Sequence, residues 1–450
     1  MKPLRLAPLA ASLVLTVAIL PTGLVRDLAA QSREEKVLED HRRVTADGFW
    51  LYQDLESGLR EARRSGKPLL VTLRCIPCEE CVKLDEELME SDPELRQLLE
   101  QFVRVRLVST NGLDLDLFQF DTDQSFAIFL MNADRTIYGR YGTRSARTEW
   151  IDDVSIAGLT RALERALELH EDPSEFRAGL RDKTGPPAEF DRPEKFPSLA
   201  TRYASRLNFT PGVVQNCIHC HQIGDAMRDH LRSRGEPFPE TVLFPYPHPK
   251  IVGLIVDPAT CGTLKEVVAG SAAERAGFEA GDEIIAFGGQ PILSIADLQW
   301  VLHQAGSYVS ITAEVERDGV RHSLTLDLDE GWKRQGDLSW RVSSWNLRKM
   351  TTGGLVLETA DPARRRAARI DPDATALVVA YVGQYGEHAA GKEAGFLKDD
   401  LIVAFDGRKD LRSESELFAY ALEERRPGER VSVTVLRDGR EIELTLPMQR

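Results

Sequence analysis

The chain has 450 residues, more than one ordinary hydrophobic core accommodates, so three or four structural units are expected. Its 42% hydrophobic and 28% charged residues are usual for soluble globular proteins. The formal net charge is −14, and such an acidic surface argues against nucleic acid as a partner, because phosphate binding requires a basic face.

The N-terminus has the organisation of an export signal. Lys2 and Arg5 precede an apolar run that reaches Val25, and the sequence LAAQS offers a small-residue cleavage site after Ala30. We therefore predict a signal peptide over residues 1–30 and an exported protein, periplasmic or anchored to the outer face of the inner membrane. The run is long enough for an uncleaved anchor as the alternative, and only then is the membrane a partner.

The segment 48–171 has the element order of an α/β domain. Apolar residues at helical spacing predict an amphipathic helix that ends at Gly66, and a short buried strand follows it. After a cysteine-rich stretch, the pattern predicts a second helix, a strand, a hairpin that turns at Asn132–Arg135 and a closing helix. The charged residues 31–47 before this segment are predicted to be a linker, with a helical lead-in as the alternative.

Three of the six cysteines lie in the sequence RCIPCEEC, at Cys75, Cys78 and Cys81. Both overlapping pairs have C-x-x-C spacing, so spacing alone leaves a metal-thiolate cluster, a redox pair with a third thiol, and a disulfide with a bystander as alternatives. In an exported protein, thiols are oxidised or occupied unless a partner keeps them reduced. With Cys217 and Cys220, five of the six cysteines form two tight clusters, which indicates chemistry rather than scattered structural bridges.

Lys67-Pro68 before an apolar strand, followed by a C-x-x-C that opens a helix with Leu84 three residues on, resembles a secreted thioredoxin-like domain. The resemblance covers roughly residues 48–170. It implies that Cys78 and Cys81 are the redox pair, because the family's pair stands just before the x-x-L-D segment.

The position of the pair agrees with this assignment. A thiol at a helix N-terminus has a lowered pKa, so Cys78 is predicted to be the attacking sulfur and Cys81 the resolving one. Cys75 is then either a third thiol for exchange or a metal ligand. Glu79-Glu80 between the pair, and the sequence Gln-Ser-Phe at 124–126 where the family has a cis-proline, depart from the family pattern.

The second cluster consists of Cys217, Cys220 and His221. C-x-x-C-H is the attachment signature of c-type haem, in which both thiols form thioethers and the histidine becomes the proximal iron ligand. The motif predicts a covalent haem c held by these three residues, with His221 and His248 as the iron ligands. A second redox disulfide and a zinc site remain as alternatives.

The surroundings of this motif are rich in proline, so residues 172–249 are predicted to be a linker and a cytochrome-c-like segment that is mostly irregular or helical. His219, inside the motif, is expected to point to solvent.

The strongest organisational signal is an internal repeat. The matching stretches are 276–292 with 394–410, and 309–328 with 431–448. Each copy predicts a strand, a short helix, a strand, a helix and a hairpin with an Asp-Gly turn. The copies resemble the permuted bacterial PDZ domain, and we place a first α+β PDZ domain at 250–330 and a second at 350–450.

A PDZ domain binds an extended peptide end by adding it to a sheet edge. The resemblance therefore implies a protein partner or peptide C-terminus, held near Gly253-Leu254 in the first copy and Gly354-Leu355 in the second. Docking modules without a peptide are the alternative. Residues 331–349 form a tryptophan-rich connector, for which inter-domain packing is expected. A G-x-S-x-G sequence is absent, so a PDZ-bearing serine protease is not expected.

The whole combination resembles exported bacterial thioredoxin-like/PDZ (seleno)proteins, which implies redox use of the cysteine stretch. The expected fold is multidomain, with an α/β thioredoxin-like domain, the C-x-x-C-H segment and two PDZ domains. The expected function is thiol redox and electron transfer with a redox partner protein, as a possible thiol-disulfide oxidoreductase. The alternatives are a non-enzymatic PDZ adaptor with structural disulfides, and a copper- or haem-handling protein.

Overall fold

A computed structural model of the chain describes residues 32–75, 86, 92–124, 126–143 and 153–450. The chain divides after Ser32, and the second unit, Arg33–Arg450, contains every helix and strand of the described residues. The predicted signal peptide and the pair Cys78/Cys81 lie outside the described residues. Within the described part of the chain, none of the helices has both the length and the apolar character needed to cross a membrane.

Short helices occur along the whole unit. The α-helices are α1 (Arg33–Asp47), α2 (Leu55–Ser65), α3 (Pro93–Leu99), α4 (Ile156–Glu171), α5 (Arg177–Arg181), α6 (Pro197–Ala200), α7 (Val213–Asn216), α8 (Cys220–Arg234), α9 (Glu240–Leu243), α10 (Ala272–Arg275), α11 (Ile295–Gln304), α12 (Ser344–Thr352), α13 (Pro362–Ala368), α14 (Ala390–Glu393) and α15 (Glu414–Glu424). The 3-10 helices are Pro193–Lys195, Pro249–Val252, Trp332–Gln335 and Gly386–Ala389.

The strands fall into three regions of the chain. They are β1 (Leu51–Tyr52), β2 (Leu69–Arg74), β3 (Val103–Leu107), β4 (Phe126–Met131), β5 (Ile137–Thr143), β6 (Leu254–Val256), β7 (Leu264–Val267), β8 (Glu283–Phe287), β9 (Gln290–Pro291), β10 (Val309–Arg317), β11 (Val320–Leu328), β12 (Leu355–Thr359), β13 (Leu377–Val382), β14 (Leu401–Phe405), β15 (Arg430–Arg437) and β16 (Arg440–Pro447).

The first sheet has the strand order β1-β3-β2-β4-β5. Strand β2 lies at its centre, parallel to β3 and antiparallel to β4, and all its residues are buried. The predicted helix before it is confirmed as α2, which ends because Gly66 adopts a left-handed conformation with φ 72°. The predicted hairpin is confirmed as β4-β5, with its turn closed by hydrogen bonds of Asn132 and Arg135.

Of the two alternatives for residues 31–47, the structure has the helical one from Arg33 onwards and not the linker. Helix α1 buries Val37 and Val44, and Asp40 on it accepts a 2.8 Å hydrogen bond from Arg74 at the end of β2. The charged sequence alone could not decide for the helix, because its stability comes from two buried valines and one ion pair rather than from a wide apolar face.

The predicted linker within 172–249 is also corrected. The short helices of this segment pack Phe196, Leu199 and Tyr203 into the same apolar core as β2 and β3. The prolines are not signs of a flexible linker, since Pro193 and Pro197 each occupy the first turn of a short helix, where a missing N–H has no cost.

The two repeat copies form the remaining sheets. In the first, strands β11-β10-β8-β9 form one sheet and β6-β7 another, whereas the second has a single sheet of order β12-β13-β14-β15-β16. Both predicted Asp-Gly turns are confirmed. Asp318 and Gly319 have φ values of 52° and 75°, and Asp438 and Gly439 have 51° and 75°, as a type I′ hairpin requires.

Candidate functional site

Cys75 follows the central strand β2 directly. Arg74 pairs with Phe126 across the β2-β4 ladder, so Cys75 emerges beside the loop that precedes β4. The Arg74 side chain is buried and bonded to Asp40, which fixes the end of the strand. The sheet thus holds the first cysteine of the stretch in a rigid position.

A loop after β3 brings the second cysteine cluster to the same place. Asn111 clamps the C-x-x-C-H segment: its Oδ1 accepts from the Ile218 N–H at 2.8 Å, and its Nδ2 donates to the Asn216 carbonyl at 2.9 Å. The Thr110 N–H also donates to the Ile218 carbonyl at 3.0 Å. Sequence reasoning missed Asn111, although an Asn-Gly pair just after a strand indicates a tight, hydrogen-bonded turn.

This clamp places His219 against Cys75. The Sγ of Cys75 lies 2.9 Å from Nδ1 of His219, so the histidine does not point to solvent as expected. Burial lowers the pKa of His219 to about 4, with further lowering from His221 and Arg33. At neutral pH the ring is therefore uncharged, and one of its nitrogens can accept a hydrogen bond from a thiol.

Cys75, His219 and Cys220 line a shared cavity of about 10 Å³ beneath the end of β2. This volume is close to the space of a single water molecule. Cys75 and the second cysteine cluster, far apart in sequence, therefore meet at one site, and the cavity that their described residues line has room for a water molecule only.

Cys217 does not have the environment that haem attachment requires. Its thiol is 3% exposed, donates to the Val213 carbonyl at 3.3 Å, and packs in an apolar cluster with Val37 and Val108. Burial raises the pKa of Cys217 to about 11, so it stays protonated at neutral pH. A haem-sized ligand needs a cavity of several hundred Å³. The residues of the C-x-x-C-H motif therefore do not fit a haem in this arrangement.

The two predicted iron ligands lie in different surroundings. His221 is partly exposed on α8, with Nδ1 3.5 Å from Asp225. His248 is buried; its Nε2 lies 3.1 Å from Asp153 and its Nδ1 accepts from the Lys250 N–H at 3.1 Å. Both nitrogens of His248 are thus engaged, so the distal-ligand assignment is not supported. In the described ranges, three or more His, Cys, Asp or Glu residues are nowhere grouped as metal ligands.

The buried state of Cys217 gives a direct expectation for haem. Expressed with its own export signal in cells that mature c-type cytochromes, the purified protein should show no covalent haem band in a pyridine haemochrome spectrum. As a control, Cys217 should resist iodoacetamide in the folded protein and react after unfolding in urea. A covalent haem band would overturn our interpretation of the segment.

The predicted peptide-cradle residues lie where their repeat copies begin their edge strands. Gly253 and Gly354 have φ values of 97° and 86°, and each precedes a buried leucine, Leu254 or Leu355. A Cβ at Gly354 would lie 2.1 Å from the carbonyl oxygen of His388, so only glycine fits there. Both copies thus build the same turn before β6 and β12.

Three segments of the chain match known protein families. Residues 50–133 match a thioredoxin-like family, and residues 263–315 and 371–448 each match a PDZ domain.

Similar proteins include a curated relative from Haemophilus influenzae, named probable periplasmic serine protease do/HhoA-like. It is 28% identical over 143 residues, which are 32% of this chain and 27% of the relative, so the chain spans about a quarter of that relative's length. Among solved structures, the HtrA-type protease AlgW with a decapeptide is 19% identical over 31% of this chain and 41% of its own, with a TM-score of 0.19. The same protease with a tripeptide is 18% identical over 30% of this chain and 42% of its own, also at 0.19.

Structural similarity at this TM-score carries no argument about activity. The family matches agree with the sheet orders and with the repeat. The chain therefore contains a thioredoxin-like domain and two PDZ domains.

Proposed function

We propose that the protein is an exported thiol-disulfide oxidoreductase that binds partner proteins through its PDZ domains. The observation that carries the redox part is the 2.9 Å contact between Cys75 Sγ and His219 Nδ1. An uncharged imidazole at this distance can accept a hydrogen bond from the thiol and take up its proton as the sulfur attacks, which is one way in which cysteine nucleophiles are activated. The lowered pKa makes His219 a weak base, so it acts during the attack and does not hold a preformed thiolate. Export is supported by the signal-like N-terminus and by the word periplasmic in the name of the curated relative.

In the proposed reaction, Cys78 attacks a substrate disulfide and Cys81 resolves the mixed disulfide. The substrate leaves as two thiols, and the enzyme retains a Cys78–Cys81 disulfide. As the sulfur of Cys75 attacks the sulfur of Cys78, its proton moves to Nδ1 of His219 and is then given to the leaving sulfur of Cys81, so that a Cys75–Cys78 disulfide replaces the Cys78–Cys81 disulfide and Cys81 becomes a thiol. A dithiol of the redox partner protein then reduces the enzyme disulfide and closes the cycle.

The small cavity and the raised pKa of Cys217 support different roles for the two cysteine clusters. Cys217 is held protonated among apolar side chains, whereas Cys75 faces a base. The second cluster thus acts through His219, and the function needs no haem.

Reaction with glutathione disulfide tests this function. The reduced protein should release two molecules of glutathione and form one disulfide within the Cys75–Cys81 stretch, as located by mass spectrometry. In a background with Cys78→Ser and Cys81→Ser, His219→Ala should slow mixed-disulfide formation at Cys75 by about tenfold, the effect of one pKa unit.

The matched control is His230→Ala, at the far end of the same helix, where the imidazole contacts Glu189 instead. It should leave the Cys75 rate unchanged. Absence of any disulfide in the wild-type stretch would reject the redox function in favour of a PDZ adaptor, and equal rates for both histidine variants would reject the role of His219.

A further inference from the structure

The outer edge of the second PDZ domain is already occupied. Strand β12 is the edge strand of its sheet, the kind of edge to which a PDZ domain adds a peptide. Two backbone groups of this strand are bonded within the chain: the Leu357 N–H donates to Oε1 of Glu414 at 2.9 Å, and the Leu355 carbonyl accepts from Oγ1 of Thr352 at 2.9 Å.

Helix α12 provides the apolar part of this occupation. It packs against both β12 and α15, the two elements that border the groove. Leu347 and Met350 on α12 are fully buried, in one apolar cluster with Leu355 and Leu357 of β12 and Leu417 of α15. Helix α12 therefore shares an apolar core with the two elements that border the groove.

A buried ion pair fixes the helix in the groove. Arg348 donates to both carboxylate oxygens of Glu414, at 2.9 and 2.6 Å, and is only 5% exposed. The Gly354 N–H, at the turn into the edge strand, donates to the Arg348 carbonyl at 3.0 Å. A peptide carboxylate would have to compete with this carbonyl for the amide.

The other end of α12 is tied to the thioredoxin-like domain. Ser343, just before the helix, donates its N–H to Asp123 at 2.9 Å and its hydroxyl to the same carboxylate at 2.8 Å. Asp123 lies in the loop that precedes β4, and Phe126 at the start of β4 pairs with Arg74 at the end of β2. The helix thus connects the thioredoxin-like domain with the groove of the second PDZ domain.

The first PDZ domain lacks the acidic residue. In the aligned repeats SIADLQWVL and SESELFAYAL, Ile295 stands where the second copy has Glu414. An acidic groove residue is therefore a feature of the second copy, and in this chain Arg348 is its partner.

We propose that α12 is a ligand in cis of the second PDZ domain, and that a partner peptide binds there by displacing it. Glu414 then selects a peptide with a basic side chain next to apolar ones, as Leu347, Arg348 and Met350 present on α12. This rests on the proposed binding of partners by the PDZ domains, but not on the thiol chemistry. Because the groove is open for only a fraction of the time, α12 weakens the apparent affinity for a peptide by that fraction.

Hydrogen–deuterium exchange of the full chain tests the occupation. Arg348→Gln should speed exchange of the β12 amides by about tenfold, while β15 and β16 stay protected as a control for folding. Leu347→Ala should have the same effect without touching the ion pair, and it replaces Arg348→Gln if that variant fails to fold. Arg412→Gln, at an exposed ion pair beside α15, should change nothing. Equal acceleration in β12 and β15 would mean a merely structural helix, and would overturn the proposal.

Peptide binding is measured with two fluorescein-labelled decapeptide mixtures that end in an apolar residue with a free carboxyl group. One contains a single arginine and the other a glutamine in its place. Arg348→Gln should bind the arginine mixture about tenfold more tightly than the wild type does, and adding Glu414→Gln should abolish the preference. Equal binding by the wild type, no binding by an opened variant, or no preference for arginine would each overturn the proposal. The glutathione reaction does not depend on the contacts of α12 with the second PDZ domain. Failure of the peptide-binding proposal can therefore be distinguished from failure of the redox function.

Discussion

Replacing Asp297 with alanine is expected to lower the free energy of unfolding by about 3–5 kcal/mol, because it leaves a buried ammonium group without its carboxylate. Lys183 lies 2.7 Å from Asp297, and both side chains are fully buried between the thioredoxin-like domain and the first PDZ domain. Asp297 also accepts hydrogen bonds from the Arg140 and Leu293 N–H groups, at 3.1 and 3.0 Å. Urea unfolding followed by circular dichroism measures the loss.

Two further variants distinguish the effect of the Asp297 charge from the effect of its buried position. Asp297→Asn retains an acceptor oxygen but no charge, so its loss should be intermediate. Glu416 occupies the equivalent position of the second repeat, where it pairs with Arg412 at the surface, so Glu416→Ala should cost at most about 1 kcal/mol. Similar losses for Asp297→Ala and Glu416→Ala would contradict the role of the buried pair.

Arg341→Met is expected to cause a second large, pH-dependent loss, of about 3–5 kcal/mol at neutral pH. Buried Arg341 donates to Asp121 at 2.7 Å and to Asp123 at 3.1 Å. Burial by itself raises the pKa of Asp123, but the guanidinium groups of Arg341 and Arg228 and the hydrogen bonds from Ser343 hold it below its ordinary value. Without Arg341, two buried carboxylates lose their principal cation.

The sign of the pH dependence follows from this lowered pKa. In the wild type, the Asp123 contribution is present above the unfolded carboxyl pKa, about 3.9, and is lost as the pH falls through the lower folded value. In Arg341→Met, burial raises the pKa of Asp123 in the folded protein. Protonation of this carboxyl group at acidic pH then removes the cost of burying its charge. The difference in urea midpoint should be largest at pH 7, smaller near pH 4 because the variant is then protonated, and smallest below the lowered pKa of Asp123 in the wild type. A difference in urea midpoint that is constant with pH would contradict this role of Arg341. Arg334→Met, at an exposed ion pair with Glu423, is the control and should have little effect on the midpoint.

Local sequence patterns were reliable where short-range chemistry decides the structure. Gly66 ends α2 because only a residue tolerant of positive φ fits there, and the Asp-Gly pairs form hairpin turns for the same reason. Patterns left α1 undecided between a linker and a helix, because its packing depends on contacts of Asp40 with Tyr52 and Arg74.

The candidate site shows the same limit more sharply. Cys75 was recognised, but its contact with His219 spans 144 positions and depends on the Asn111 clamp. The C-x-x-C-H motif has the composition of a haem site, yet Cys217 is buried in an apolar cluster with Val37 and Val108. A motif gives residue types and their spacing in the sequence. The reactivity of those residues depends on the solvent and the charges that surround them in the folded protein.

The sequence by itself determined the α/β cysteine domain, the PDZ repeat and the export-like N-terminus, because periodicity, turn residues and internal similarity are local properties. Only the tertiary structure decided that His219 faces Cys75, that Cys217 is sealed among valines, and that α12 packs against β12. These outcomes depend on burial. Burial removes water from residues that are distant in the sequence, so it cannot be predicted from any one short segment.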